Sequence, residues 1–392
     1  MRNPHFGEVL ALTSDHFVDG FTAPGFSGVR EAFVNNFVEH NEIGGACTVS
    51  VRGEVVVDLW GGYASLDHTR MWTPETLVNA FSVGKGITAL IAAILVDQGA
   101  LSYQTRVSDV WPKFVGGGKE DLLFEDLLGH RTGLPTFHDT LPALSMYDWS
   151  YMCDALAREK PWWKPGTNHG YHVNTYGFLV GEVIRRATNS SVGQHIHKML
   201  HSPLQADMFL GVPESEHGRI AEFEWPTNAI PTVDTAGFSD EQLLAYNTYN
   251  NPEGTSGGGT VNTTEWRLAE IPSTNLHASS RGIERVYREL TNSGGTLLSA
   301  HGLNESLVEM SNGPDVVLGR NSRFGRGFQI PLPERGFGPH PEAFGHFGAG
   351  GSVGFSDPRS GVAFGYVMNQ MGPRWQNPRN RALIDAVYSS LS

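Results

Sequence analysis

The sequence predicts an α/β protein of the α+β type, in which both ends of the chain build one sheet and the middle forms an inserted helical lobe. Strand-like patterns occur near both termini, whereas helical patterns separated by Gly- and Pro-rich loops fill residues 75–290. The 392 residues also exceed what one compact core usually holds. We therefore predict an α/β domain from residues 1–75 and 295–392, a mainly helical domain from residues 76–294, and a functional site in the cleft between them.

The individual elements follow from local patterns. A β-hairpin is predicted at the start, where residues 46–51 and 54–60 read as strands joined by the turn Arg52-Gly53. Helical patterns then occur at residues 87–98, 175–187 and 279–291. Two short strand-like runs precede a last helix; the runs are residues 326–330 and 362–368, and the helix is residues 380–391.

Charge and hydropathy exclude several classes of function. A net charge of −13 opposes binding to nucleic acid or to an anionic membrane surface. No apolar stretch reaches the roughly 18 residues that a membrane helix needs, and residues 1–8 lack the apolar core of a signal peptide. We therefore expect a soluble protein of the cytoplasm that binds neither nucleic acid nor membrane.

Cysteine and histidine usage indicates neither a disulfide framework nor a metal centre. Cys47 and Cys153 are the only cysteines and lie far apart in segments of different type. His195, His197 and His201 cluster, but no acidic residue lies among them and the HExxH pattern is absent. We expect no metal site here.

The segment Ser82-Val83-Gly84-Lys85 opens an apolar run that is typical of a buried helix. Residues three apart on a helix share a face, so the Ser82 hydroxyl and the Lys85 amine come within hydrogen-bond reach. Burial penalises the charged form of lysine, and a neutral amine can take the proton from a serine as it attacks. Because SxxK strings also occur by chance, with lysine as an ordinary helix-end cation, the assignment depends on partners elsewhere.

Two later segments provide candidate partners for Ser82. In residues 165–177, a Pro-Gly turn leads to Tyr171 at the mouth of an apolar helix, where unpaired amides favour a phenolate or a strong hydrogen bond. In residues 344–355, dense glycines let a backbone edge approach a ligand and bind a developing oxyanion. Taken alone, the first also fits a packed loop tyrosine and the second a crowded β-turn.

Together, these motifs resemble those of the serine β-lactamase and penicillin-binding-protein superfamily, and more closely its esterase branch, the family VIII carboxylesterases. Besides the SxxK and tyrosine segments, residues 127–135 read LLGHRTGLP, similar to the LLxHxSGLP loop of that family, with Thr132 in place of serine. Residues 345–348 read GHFG, similar to the HxG variant of the KTG motif. The order along the chain is that of the family, and the resemblance runs almost end to end.

The resemblance implies a β-lactamase/transpeptidase-like fold, with an antiparallel sheet flanked by helices and an inserted all-helical lobe. It also implies a serine hydrolase that hydrolyses short-chain carboxylic esters through an acyl-serine, without a metal or organic cofactor. Ser82 then corresponds to the nucleophile, Lys85 to its activating base and Tyr171 to the proton relay.

The resemblance further implies an oxyanion hole made by the backbone amides of Ser82 and Ala349. His346 takes the place of the KTG lysine and, with Gly348, supports the substrate side. A histidine there can hydrogen-bond the Tyr171 side of the site without being a permanent cation.

Besides His346 in place of the KTG lysine, two departures distinguish this chain from true β-lactamases. His172-Val173 follows Tyr171 where Ala/Ser-Asn is usual, so Asn174 comes one residue late. Phe347 replaces the KTG threonine, whose hydroxyl helps bind the lactam carboxylate. Losing a cation, a hydroxyl and an amide costs more for an anionic β-lactam than for a neutral ester, because each buried donor contributes to affinity.

Alternative interpretations use the same residues or other serines. A β-lactamase, a D-amino-acid peptidase or an acyltransferase could use the same Ser/Lys/Tyr site, and the sequence leaves the physiological ester and the oligomeric state open. Ser256 and Ser352 each lie in a GxSxG string. Neither lies between a buried strand and an apolar helix, as a nucleophile elbow requires, so we do not assign them as nucleophiles.

Overall fold

An antiparallel six-stranded sheet organises the computed structural model, which describes residues 18–225, 233–292 and 294–391. In chain order the strands are β1 (Val18–Thr22), β2 (Gly44–Val51), β3 (Glu54–Gly62), β4 (Val78–Asn79), β5 (Met208–Phe209), β6 (His277–Ala278), β7 (Ser311–Asp315), β8 (Arg320–Phe324), β9 (Phe344–Phe347), β10 (Val353–Asp357) and β11 (Val362–Met368). The large sheet has the order β1-β3-β2-β11-β10-β9, so β9 is an edge strand. Strands β4, β6 and β5 form a small sheet, and β7 and β8 pair as a hairpin.

Helices fill the middle of the chain and flank the sheet. They are α1 (Ser27–His40), α2 (Val83–Asp97), α3 (Val107–Val110), α4 (Phe124–Leu128), α5 (Trp149–Arg158), α6 (Thr175–Thr188), α7 (Val192–Ile196), α8 (Ser202–Leu204), α9 (Asp240–Asn250), α10 (Thr264–Leu268), α11 (Ser280–Thr291), α12 (Ala300–Ser306) and α13 (Pro378–Ser389). A π-helical stretch, His197–His201, joins α7 to α8.

The sheet is covered on both faces. Thr48 in β2 hydrogen-bonds Ser280 at the start of α11 over 2.8 Å. Tyr366 in β11 donates to Glu42, whose carboxylate lies 4.0 Å from Arg379 of α13. Thr48 pairs with the residue before Tyr366, and successive strand residues point to opposite faces, so α11 and α13 lie on opposite sides.

Both ends of the chain contribute to the large sheet, as the sequence predicted. Strands β1 to β3 come from its beginning and β9 to β11 from its end, while helices α2 to α10 lie between them. Helix α11 packs against β11 and β10 although residues up to 294 were assigned to the helical domain. The domain boundaries stay a prediction, and residues 1–17 of the predicted α/β domain lie outside the described residues.

Local patterns predicted most of these elements. The hairpin β2–β3 turns at Arg52 and Gly53, whose φ values of 52° and 89° are those of a two-residue turn with both residues left-handed. The prediction of a strand at residues 326–330 is wrong, because β8 ends at Phe324 and the chain then bends. Gly327 has a φ of 101°, and the Arg326 guanidinium turns inward onto two glutamates, so the segment cannot continue as a strand.

Helix α2 crosses the interior and carries the predicted SxxK motif at its start. Its side chains are apolar on all sides and buried from Val83 to Leu95, as expected for a helix that passes through a core. Within the described ranges, neither α2 nor any other helix is long and apolar enough to cross a membrane. The cytoplasmic location stays a prediction.

Candidate active site

Ser82 and Lys85 lie together in the first turn of α2. Ser82 is the N-cap residue and is only 5% exposed. Phe81, immediately before it, has a φ of 49°, a left-handed conformation that is unfavourable for a residue with a bulky side chain. Lys85 Nζ lies 3.1 Å from Ser82 Oγ, as the helical spacing predicted.

The Lys85 amine is fully buried and has three polar neighbours. It donates to the carbonyl oxygens of Val173 at 2.7 Å and Ser273 at 2.8 Å, and its third neighbour is Ser82 Oγ. Burial lowers the pKa of Lys85 well below 10.5. A neutral amine has two N–H groups, which the two carbonyls occupy, so its lone pair faces the Ser82 hydroxyl.

Tyr171 is fully buried and packs against Lys85. Its ring centroid lies 4.7 Å from Lys85 Nζ, 5.7 Å from the ring of Phe324 and 4.8 Å from the ring of Trp375. The phenol oxygen makes no hydrogen bond of normal geometry with any described residue. Burial raises the pKa of Tyr171 well above 10, and the nearby Ser82 hydroxyl offsets only part of the rise.

The phenol of Tyr171 is therefore protonated at neutral pH, which does not match the phenolate, one of the two alternatives that the sequence left open. The reason is that α6 begins at Thr175, beyond Tyr171, so the positive helix end does not compensate for the lost hydration.

Asp315, which the sequence analysis did not single out, holds the Tyr171 backbone. Its buried carboxylate accepts the Tyr171 N–H at 3.0 and 3.1 Å, the Ser322 hydroxyl at 2.7 Å, and the Val317 and Leu318 N–H groups at 2.9 Å each. The hairpin β7–β8 is thereby fixed to the tyrosine segment. Its Pro-Asp start and Gly end give a turn signal in the sequence, but nothing in that signal indicates which segment the carboxylate binds.

The LLGHRTGLP loop supports the same turn from the other side. His130 Nδ1 accepts the N–H of His172 at 3.1 Å, and the Thr132 hydroxyl lies 2.6 Å from His172 Nε2. His172 Nδ1 lies 2.5 Å from the carbonyl of Gly170, so Nδ1 carries the proton and Nε2 accepts from Thr132. Burial lowers the pKa of His172 to about 3, which keeps this ring a neutral structural group.

His346 lies on edge strand β9, facing the start of α2. A side chain at Gly86 would place a Cβ 3.1 Å from His346 Cβ and 2.5 Å from Tyr287 Oη, so the glycine permits this close approach. The rings of His346 and Tyr171 are 6.0 Å apart. Burial is the main cause that lowers the pKa of His346 to about 3. His346 is therefore neutral where a KTG lysine would be charged.

The tautomer of His346 leaves one nitrogen free. Nδ1 lies 2.6 Å from the carbonyl oxygen of Phe347 and therefore donates its proton to it. Nε2 is an acceptor, is buried, and has no hydrogen-bond partner among the described residues. His346 can thus accept a hydrogen bond near Tyr171 while the ring stays uncharged.

Gly348 and Ala349 lie beside the backbone that leads into Ser82. Gly348 N–H donates to the carbonyl of Ser352 at 2.7 Å, and Ser352 Oγ donates to the carbonyl of Ala80 at 2.9 Å. A Cβ at Gly348 would lie 2.4 Å from that Ala80 oxygen, so only glycine fits. Neither Ser82 N–H nor Ala349 N–H has an acceptor in the described part of the chain, as an empty oxyanion hole requires.

Both GxSxG serines have structural roles. Ser352 is fully buried and bonded to Ala80. Ser256 donates to the carbonyl of Tyr249 at 3.0 Å and accepts from Asn174 Nδ2 at 3.0 Å. Asn174 also donates to the Thr248 carbonyl at 2.8 Å, so this asparagine is bound within the helical region and does not face Ser82 as the lactamase asparagine would.

The histidine cluster forms part of the helical surface. His195 Nε2 lies 2.9 Å from the Thr188 hydroxyl, and the rings of His197 and His201 stack 5.1 Å apart. Across residues 18–225, 233–292 and 294–391, no group of three or more His, Cys, Asp or Glu side chains is arranged to hold a metal ion. Cys47 and Cys153 are both buried free thiols.

A cavity of about 740 Å³ opens beside the Ala349 amide. Phe347 and Ala349 contribute from the HxG segment, Tyr249 from α9 and Trp375 from the loop before α13. Trp375 also contacts Tyr171, so it connects the cavity to the catalytic side of the cleft. The volume lies within the range of about 300–1,000 Å³ that small-molecule sites usually have. Trp375 could not be predicted from the sequence, because its place beside Tyr171 depends on a long-range contact.

Fold and site together define the class of β-lactamase/transpeptidase-like folds, with a serine and a lysine in one helical turn between a sheet and a helical region. The chain belongs to the β-lactamase family, whose model matches residues 30–389. It is 30% identical to the esterase/β-lactamase LipL of Mycobacterium tuberculosis over 366 residues, which cover 90% of this chain and 83% of LipL.

Two solved structures are similar over nearly the whole chain. A family VIII carboxylesterase is 36% identical, with a TM-score of 0.86, and the match covers 95% of this chain and 100% of that one. A penicillin-binding-protein homologue from Caulobacter crescentus is also 36% identical, with a TM-score of 0.87 and the same coverage of 95% and 100%. The predicted family and fold class are confirmed.

Proposed function

We propose that this protein is a serine carboxylesterase that hydrolyses short-chain carboxylic esters through an acyl-Ser82 intermediate. The observation that carries the proposal is the buried Lys85 amine, which donates to two backbone carbonyls and lies 3.1 Å from Ser82 Oγ, so that its lone pair faces this hydroxyl once the amine is neutral. An amine held neutral in this way is a general base that is ready before the substrate arrives. The relatives named as a carboxylesterase and as an esterase/β-lactamase support the same reaction class.

In the acylation step, Ser82 Oγ attacks the ester carbonyl carbon as Lys85 takes the hydroxyl proton. A C–O bond forms, and the carbonyl oxygen becomes an oxyanion that accepts from the Ser82 and Ala349 amides. The proton passes through the Tyr171 hydroxyl to the alkoxide as the bond to the leaving alcohol breaks. A phenol that keeps its proton at neutral pH suits this donor role.

Deacylation uses the same groups in reverse. Water loses a proton to Lys85, through Tyr171, as its oxygen attacks the acyl carbon, and the oxyanion again accepts from the two amides. When the acyl bond breaks, Ser82 Oγ recovers its proton and the carboxylic acid leaves. All proton transfers in both steps are supplied by this chain, so the mechanism includes no metal or organic cofactor.

The groups around Ser82 favour an ester over a β-lactam. His346 is neutral, Phe347 offers no hydroxyl, and the Asn174 amide is bound elsewhere. An anionic lactam would lose these donors, whereas an ester needs only the oxyanion amides. Comparing kcat/KM for nitrocefin and for a short-chain nitrophenyl ester tests this order; a higher value for nitrocefin would favour the β-lactamase alternative.

The nucleophile is tested by labelling with a fluorophosphonate and mapping the adduct by mass spectrometry. We expect one adduct, on the peptide that contains Ser82, and loss of both labelling and ester hydrolysis in Ser82→Ala. Ser256→Ala, a matched control in a GxSxG string, should keep both. Activity that survives Ser82→Ala but is lost in Ser256→Ala would refute the assignment.

A further inference from the structure

The cavity beside Ala349 is lined by a concentration of positive charge. Four arginines contribute to its wall, and the carboxylate in that wall is Glu334; the arginines are Arg320, Arg323, Arg335 and Arg374. The protein as a whole carries a net charge of −13, so this local excess of arginine is opposite to the overall charge. Charge of one sign in a cleft attracts ligands of the other sign.

Two of the arginines have partners within the protein. Arg323 pairs with Glu309 at 2.7 Å and donates to the Pro331 carbonyl at 3.0 Å. Arg335 donates to the Asn321 carbonyl at 2.7 Å and lies 3.4 Å from Glu334. Their guanidinium groups therefore hold the walls of the cavity together.

Arg320 and Arg374 differ from these two. Neither guanidinium has a carboxylate or another hydrogen-bond acceptor among the residues described. Burial, and next the positive charge of Arg335, lower the pKa of Arg320, and the Asp315 carboxylate offsets part of this effect. An excess of like charge in one wall destabilises the unliganded protein, and an anionic ligand would reduce that cost.

The two free arginines lie close to the reacting groups. The Arg320 guanidinium stacks 5.0 Å from the ring of Trp375, and that ring lies 4.8 Å from the ring of Tyr171. Arg374 precedes Trp375 in the chain and lines the same cavity, which reaches Ala349. An anion held there would be one aromatic ring away from the proton relay.

We propose that the preferred esters carry a carboxylate, which Arg320 and Arg374 bind while the ester carbonyl occupies the site of Ser82 and Ala349. This inference rests on the proposed esterase function and names its substrate class. A guanidinium presents paired N–H donors that match a carboxylate, and stacking on Trp375 holds one of them in place. The neutral His346 is compatible with this, because Arg320 reaches the site from the Trp375 side and supplies the positive charge that His346 lacks.

Two matched pairs of esters test the proposal and locate the carboxylate. In the first pair, 4-acetoxybenzoate and its methyl ester, the charge is on the leaving phenol. In the second pair, monophenyl adipate and phenyl methyl adipate, the charge is on the acyl group. We expect the wild type to prefer the charged member of one pair by about tenfold in kcat/KM, the lower end of what one charge-assisted hydrogen bond contributes. The preference should decrease with added salt.

The double variant Arg320→Gln/Arg374→Gln should lose this preference through a higher KM for the charged ester, while its rate on the neutral ester shows that it is folded. The single variant Arg374→Gln, at an exposed position, should lose part of the preference for the charged ester. Arg158→Gln removes an exposed arginine of α5 outside the cavity, and this variant should keep the full preference for the charged ester.

The outcomes separate the two proposals. Equal kcat/KM within both pairs, or a preference that survives in the double variant, would overturn the carboxylate inference and leave the esterase proposal intact. No hydrolysis of any of the four esters would overturn both.

Discussion

Lys85 and Tyr171 are both fully buried next to Ser82, yet the protein treats their polar atoms in opposite ways. The Lys85 amine has three hydrogen-bonding neighbours, two of them backbone carbonyls from distant segments. The Tyr171 hydroxyl makes no hydrogen bond of normal geometry and has the Ser82 hydroxyl as its polar neighbour, while Nε2 of His346 and Nε2 of His130 have no partner among the described residues. One side of the site is satisfied by the protein and the other is not.

The difference corresponds to what each group is proposed to do. A general base performs best when its lone pair is already aimed at the hydroxyl, and fixed carbonyl partners provide that aim. A proton relay must exchange partners during the reaction, so a permanent acceptor would compete with the serine and the leaving group. An unsatisfied buried hydroxyl costs about 1–3 kcal/mol, and native proteins usually keep such groups only where function uses them.

The largest expected effect on activity comes from a change at Tyr171, the proposed proton relay. Tyr171→Phe should lower kcat by about a hundredfold, the low end of what a positioned acid–base group contributes. Because the deleted hydroxyl makes no hydrogen bond of normal geometry, the free energy of unfolding should hardly decrease. Steady-state kinetics with a short-chain ester and urea denaturation measure the two effects.

Tyr176→Phe is the matched control for that experiment. The Tyr176 hydroxyl is also buried without a partner, but it lies next to Gly327 and away from Ser82. We expect unchanged kcat. If both variants lose activity equally, packing of the phenols, and not proton transfer, would be the cause.

The second prediction concerns the backbone next to Ser82, where one hydrogen bond is removed and a smaller loss of activity is expected. Ser352→Ala removes the 2.9 Å bond to the Ala80 carbonyl, which ties the Ala349 segment to the start of the Ser82 turn. Loss of one oxyanion donor costs about 10²–10³ in kcat, and a displaced donor should cost less, about tenfold, with KM unchanged.

Labelling distinguishes this positioning role from a catalytic one. Ser352→Ala should still form the fluorophosphonate adduct on Ser82, and Ser256→Ala should keep full activity. Unaltered kcat in Ser352→Ala would show that Ala349 does not depend on this bond.

The contrast also explains which features the sequence could predict. Ser82 and Lys85 are three residues apart on one helix, so local geometry alone brings them together. The Val173 and Ser273 carbonyls that orient the amine come from 88 and 188 residues away, and a backbone carbonyl has no residue type that a motif could reveal. Tyr171 was a candidate because it follows a Pro-Gly turn before an apolar helix, but its relay role was predicted only from the resemblance to a family motif.

The same reasoning applies to the features that the sequence did not predict. Asp315 holds the Tyr171 backbone across 144 residues, and its carboxylate looks like that of any turn aspartate. The strand predicted at residues 326–330 failed because Arg326 pairs with Glu125 and Glu305 in the folded chain. In each case a tertiary contact overrode or completed the local pattern.

The smallest effect, and the most direct test of the satisfied side, is the pH dependence of stability in Lys85→Met. Burial in the folded protein lowers the pKa of Lys85 well below 10.5, whereas in the unfolded chain the amine keeps its ordinary pKa. Between the two pKa values the unfolded state therefore binds one more proton, and wild-type stability falls as pH falls, by up to about 1.4 kcal/mol per pH unit. Lys85→Met lacks this term.

Urea denaturation from pH 10 down to pH 7 should therefore show that the stability of Lys85→Met rises relative to that of the wild type. The loss of the Lys85 hydrogen bonds shifts the stability of the variant by the same amount at every pH and does not change this trend. Other titrating groups affect both proteins alike and cancel in the difference. Lys160→Met, which removes an exposed amine, should give a curve parallel to the wild type. If Lys85→Met is also parallel, the amine keeps its proton in the folded protein, and a charged Lys85 could not accept the proton of Ser82.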